Sequence, residues 1–100
     1  MATQTQKISE IGNVTLTTSL QAVTVGAGVV INTIFFGTND GTDYEIATSG
    51  SATDTFLFSN ERGSSPISIN LSLTSVEDRT IFYVKGVSGS VFQYMCMQDV

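Results

Sequence analysis

Short apolar runs recur along the whole chain, and each is followed within a few residues by glycine, asparagine, aspartate or serine. The clearest run alternates apolar and polar side chains at every step: Ile67, Ser68, Ile69, Asn70, Leu71, Ser72 and Leu73. A period of two is typical of a half-buried β-strand, and no segment shows the spacing and capping residues of a helix. The pattern predicts an all-β fold, an antiparallel β-sandwich of the jelly-roll type, with an immunoglobulin-like sandwich as the alternative.

A length of 100 residues suits one domain. Residues 1–7 are polar and lack apolar periodicity, which predicts a flexible N-terminal arm in front of a single sandwich domain at residues 8–100. The most apolar stretch, residues 20–36, is interrupted by glycines and predicts two strands and a turn rather than a membrane span. No basic and then apolar leader opens the sequence, so we expect the chain to be made in a cytoplasm and kept there until assembly.

The charge and the residue types argue against several classes of function. The net charge is −5, and the basic residues are scattered as Lys7, Arg62, Arg79 and Lys85. Such a chain is repelled by nucleic acids and by anionic membrane surfaces, so neither is an expected partner. The chain has no histidine, the commonest general base and zinc ligand. The single cysteine, Cys96, is expected to be a buried apolar residue. We therefore expect no catalytic residues and no cofactor.

An acidic turn is the best candidate for a metal site. Asn39, Asp40, Asp43 and Glu45 gather around Gly41. A calcium loop needs acidic or amide ligands at alternating positions before its glycine, and here Gly41 comes too early. Asn, Asp and Gly tolerate the positive φ angles of a tight hairpin turn. The segment Asn39-Asp40-Gly41 therefore predicts a β-hairpin, and no metal ion is expected.

Two late segments, residues 81–84 and 91–97, are apolar on both faces of a strand. If Phe82, Val84, Phe92, Tyr94 and Cys96 point into the core, four apolar residues point outward: Ile81, Tyr83, Met95 and Met97. Contiguous exposed apolar residues typically mark an interface. These four are the predicted contact between subunits of a homo-oligomer. The alternative is that the chain's own arm or loops cover them.

The order of the segments resembles that of small β-sandwich proteins of tailed bacteriophage virions. The resemblance is carried by residues 16–23, 26–28, 31–36, 39–43 and 77–81, where strands lead into glycine-rich or acidic turns. It implies a head decoration (cement) protein that forms homotrimers, binds the major capsid protein on the outer head surface and stabilises the shell of the virion. The alternative is a tail or fibre component that binds a host surface glycan, with Tyr44 and Phe56 as aromatic platforms.

Overall fold

The computed structural model of the protein describes residues 6–51, 53–58 and 67–99. These residues form eight β-strands: β1 (Gln6–Thr15), β2 (Gln21–Val25), β3 (Val30–Thr38), β4 (Tyr44–Ala47), β5 (Phe56–Phe58), β6 (Ile67–Thr74), β7 (Arg79–Gly86) and β8 (Val91–Asp99). The prediction of an all-β fold is confirmed. In this part of the chain, no helix is long and apolar enough to span a membrane.

The strands form two four-stranded antiparallel sheets that pack as a sandwich. The first sheet has the order β1-β8-β3-β6, and the second has the order β2-β7-β4-β5. Most connections cross from one sheet to the other, and β4 and β5 are the consecutive strands that pair directly. This interleaving of two four-stranded sheets is the jelly-roll arrangement, so the jelly-roll prediction is confirmed over the immunoglobulin-like alternative.

Alternate residues of both sheets fill the core between them. An aromatic cluster lies at its centre, with Phe36 and Phe92 from the first sheet and Tyr44 and Phe82 from the second. Neighbouring ring centroids in this cluster are 5.3 to 6.1 Å apart. Edge-to-face and tilted contacts at this spacing each contribute about 0.5–1.5 kcal/mol beyond the burial of the rings. The cluster therefore holds the two sheets together.

The predicted hairpin at Asn39-Asp40-Gly41 is wrong, although the turn itself is present. Gly41 has a φ of 78°, as the turn requires. The turn leads from β3 in the first sheet to β4 in the second, and these two strands do not pair. Turn chemistry sets the local backbone angles, whereas the burial of apolar faces decides which sheet the next strand joins.

The first strand begins earlier than the sequence predicts. Gln6 and Lys7, assigned to the arm, pair with Asp99 and Gln98 at the start of β1. The Gln6 side-chain amide donates a hydrogen bond to the Asp99 carboxylate at 2.9 Å. The rest of the predicted arm, residues 1–5, lies outside the described residues.

Candidate functional site

The outer face of the first sheet carries a cluster of apolar side chains. The strand register places Ile11, Met95 and Phe35 in one row across β1, β8 and β3. The next row begins with Ile8 and Met97. Residues directly opposite each other in antiparallel strands lie on the same face, so these side chains are neighbours. We call this cluster the apolar face: Ile8, Ile11, Phe35, Met95 and Met97.

A β-bulge brings both isoleucines of β1 onto this face. Residues three positions apart point to opposite sides of a regular strand. The pairing of β1 with β8 shifts between Ile8 and Glu10, which leaves Ser9 as an extra residue. The Ser9 hydroxyl donates a hydrogen bond to the Cys96 carbonyl oxygen at 3.2 Å. The extra residue shifts the inward and outward alternation of side chains by one position, so Ile8 and Ile11 both point outward.

The apolar face is accessible, and its neighbours on the sheet are uncharged apart from Asp99 at the end of β8. Ile8 is 52% exposed and Ile11 is 63% exposed, while Phe35, Met95 and Met97 are half-buried. The register adds polar neighbours on the same face: Asn13, Thr33, Ser68, Asn70 and Gln93. An apolar centre with a rim of amides and hydroxyls is a common composition for a protein interface.

The structure places the four predicted interface residues in different surroundings. Met95 and Met97 point outward side by side, and the alternate residues of β8 are buried in the core. Ile81 lies at a register shift between β2 and β7 and packs against the core. Tyr83 belongs to the second sheet, on the opposite side of the sandwich. The four residues therefore do not share one surface, and a subunit contact at Met95 and Met97 stays a prediction.

Tyr83 is covered in part by the protein's own chain. It pairs with Ala22 on β2 and Ala47 on β4, so small side chains flank its ring. A Cβ atom added to Gly50 would lie 3.2 Å from Cε2 of Tyr83, so the turn after β4 packs against the ring. For Tyr83, the structure fits the alternative that one of the chain's own loops covers the side chain.

The sequence reasoning missed Phe35, Ile8 and Ile11 as members of the face. Phe35 lies within Ile34-Phe35-Phe36, a run apolar on both sides, which is the same signal that singled out β8. The two isoleucines gave no such signal, because their outward position depends on the bulge at Ser9.

The acidic turn uses its carboxylate to fix its own conformation. The Ser90 hydroxyl donates to Asp40 Oδ2 at 2.8 Å, and the Thr42 hydroxyl donates to Oδ1 at 2.8 Å. These two hydrogen bonds, with Ser90 the larger cause, hold the pKa of Asp40 below its ordinary value of 3.8. On the neighbouring strand β4, Glu45 accepts a hydrogen bond from Thr55. Across residues 6–51, 53–58 and 67–99, no three His, Cys, Asp or Glu side chains lie close enough together to hold a metal ion.

The thiol of Cys96 lies in the core of the sandwich. Its side chain is buried, and burial, with a further contribution from the charge of Glu10, raises its pKa to about 11. A thiol with this pKa stays protonated at neutral pH, and the thiolate is the reactive form. Cys96 therefore acts as a small apolar residue in the packing of β8.

An open groove of about 280 Å³ runs beside β4 and β7. Asp43, Glu45 and Lys85 line it together with Tyr44. Tyr44 is only 1% exposed, so its ring cannot stack on a sugar, and this part of the glycan hypothesis is wrong. Phe56, the other suggested platform, is 67% exposed.

No family model matches this chain, and comparisons with curated proteins and with solved structures found no match. Known proteins therefore assign no functional residue here. The surface that distinguishes this sandwich chemically is the apolar face, an uncharged area on an acidic protein.

Proposed function

We propose that this chain is a structural protein of a tailed-bacteriophage particle, of the capsid decoration (cement) type. It binds the outer surface of the head as a homotrimer, contacts the major capsid protein and stabilises the shell without catalysing a reaction. The observation that carries the proposal is the apolar face, an accessible apolar surface on the outside of a β-sheet.

The charge distribution favours contact through this face. The chain has nine acidic and four basic residues. A contact between acidic parts of the surface would bring like charges together, which is destabilising. The five residues of the apolar face carry no charge, and Asp99 at the end of β8 is the charged residue that the register places at its rim. Full burial of an isoleucine side chain is worth about 1.5–3 kcal/mol, so covering Ile8 and Ile11 supplies a substantial driving force for association.

The fold alone does not choose between the two hypotheses, because jelly rolls occur in both viral capsids and lectins. The character of the surface does favour one. A glycan site needs an exposed aromatic ring beside polar groups, whereas the apolar face combines aliphatic, thioether and phenyl side chains. Such a surface suits contact with protein, and the assembly of a decoration trimer is a protein contact.

The direct test is to purify particles from cultures that carry the gene and to locate this chain in them. We expect mass spectrometry to detect it in intact heads and cryo-electron microscopy to show its density on the outer head surface. Heads with Ile11→Glu in place of the wild-type chain should lose that density and burst at lower temperature. Density on the tail or fibres, or particles without the chain, would contradict the proposal.

A further inference from the structure

A trimer with three-fold symmetry needs two different contact surfaces on each copy, and the apolar face is only one of them. A surface that packs against its own copy forms a two-fold dimer. A closed ring of three is head-to-tail, so each copy presents two different surfaces that fit each other. If the proposed function is right, the apolar face needs a second surface elsewhere on the same chain.

An apolar surface that meets this requirement lies at one side of the sandwich. β5 and β6 are the edge strands of the second and first sheets, on the side away from β1 and β2. Phe56 pairs with Ile46, and Ile69 pairs with Ile34, and both partners are buried in the core. Phe56 and Ile69 thus belong to the inward faces of their strands. Even so, they are 67% and 39% exposed.

The opposite side of the sandwich is closed by specific contacts. The Gly26 backbone amide donates a hydrogen bond to Oε1 of Glu10 at 3.1 Å. The Tyr94 hydroxyl donates one to the Thr24 carbonyl at 3.1 Å. These bonds join the first sheet to β2 and the turn that follows it. Among the described residues, the β5 and β6 side carries an apolar edge, which we call the edge patch: Phe56, Ile67 and Ile69.

We infer that the apolar face of each copy packs on the edge patch of the next, three times around a ring. This inference rests on the proposed function and names the partner of the apolar face as a second copy of this chain. β6 contains no charged residue, so its contact with the uncharged apolar face avoids repulsion between acidic copies. The ring would bury Ile11 and Ile69, whereas other large exposed apolar side chains, Val76 and Val87, lie singly in loops.

A mixing experiment tests the head-to-tail arrangement. Ile11→Glu blocks the face and leaves the edge patch intact, and Ile69→Glu does the reverse. Both positions are exposed enough for a glutamate to reach water, and Val76→Glu in the loop after β6 is the matched control. Circular dichroism melts establish that each variant is folded, and Phe56→Glu replaces Ile69→Glu if that variant is not. Native mass spectrometry then gives the oligomeric state of each variant and of equimolar mixtures.

We expect the wild type and Val76→Glu to be trimers and each blocked variant to be a monomer. A mixture of the two blocked variants should form a one-to-one heterodimer, because an intact face meets an intact edge patch once and the ring cannot close. If the edge variant forms homodimers and the mixture adds nothing, the contact is a two-fold pairing of faces and the inference is wrong. A trimer that survives Ile69→Glu and Phe56→Glu also overturns it. In either case, wild-type chain on phage heads would leave the proposed function standing.

Discussion

At the scale of single residues, Ser75 ties two loops together inside the protein. Its side chain is buried. Its hydroxyl donates to the Gly26 carbonyl and accepts from the Val29 amide at 3.3 Å. Its backbone oxygen accepts from Gly28 at 2.6 Å, and its backbone amide donates to Val29 at 2.9 Å. The loop from β2 to β3 is therefore fixed to the loop from β6 to β7.

We predict that Ser75→Ala lowers the free energy of unfolding by about 1–3 kcal/mol, because the partly buried Gly26 carbonyl and the buried Val29 amide lose a partner. Urea denaturation measures the change, and Ser72→Ala at an exposed position of β6 is the control. An unchanged midpoint for Ser75→Ala would mean that its hydroxyl contributes no net stability.

The hydrogen bonds to Asp40 predict how stability depends on pH. The pKa of Asp40 is lower in the folded protein than its ordinary value of 3.8. Its carboxylate therefore stabilises the fold above pH 3.8, and this contribution is lost as the pH falls through the lowered pKa. Ser90→Ala removes the larger cause, so the pKa of Asp40 should rise toward 3.8, as measured by carbon-13 NMR titration. A pKa that does not move in Ser90→Ala would contradict this assignment.

At the scale of elements, β1 packs closely against β8 because Gly12 has no side chain. A Cβ atom on Gly12 would lie 2.3 Å from Cζ and from the hydroxyl oxygen of Tyr94. Gly12→Ala must displace this ring and break its hydrogen bond to Thr24. We predict a destabilisation of about 1–3 kcal/mol, as for other overpacked sites, measured by thermal unfolding.

Gly26→Ala is the control for that prediction. The added Cβ would lie 3.4 Å from the nearest atom, Oε1 of Glu10. This is an ordinary van der Waals distance, so no neighbouring atom has to move. If the two alanine variants have the same melting temperature, Tyr94 has room to move, and the close approach at Gly12 does not affect stability.

The same scale shows how far the sequence predicts the fold. Alternation in β6 correctly separates inward from outward side chains, because a strand's period of two needs no other information. The same rule places Met95 and Met97 outward on β8. It fails at Ile81, because a register shift changes the phase of the strand. Bulges and crossings between sheets depend on packing over long distances, which a local pattern does not contain.

At the scale of the whole molecule, an acidic surface surrounds a smaller apolar one. The net charge of −5 makes contact between the acidic parts of two copies unfavourable. The five residues of the apolar face are uncharged, so the proposed association would use a surface where this repulsion is weak. Met95 lies in the middle row of that face, between Ile11 and Phe35. A charge at this position probes assembly directly.

Sedimentation velocity of the purified chain at micromolar concentration is the most direct test of face-driven assembly. We predict a wild-type species of about three times the 10.6 kDa of one chain. Met95→Asp should sediment as a folded monomer, because an unpaired buried charge costs several kcal/mol. Val76→Asp, in an exposed loop, should keep the wild-type mass. A wild-type chain that sediments as a monomer, or a Met95→Asp variant that keeps the full oligomer, would contradict the account.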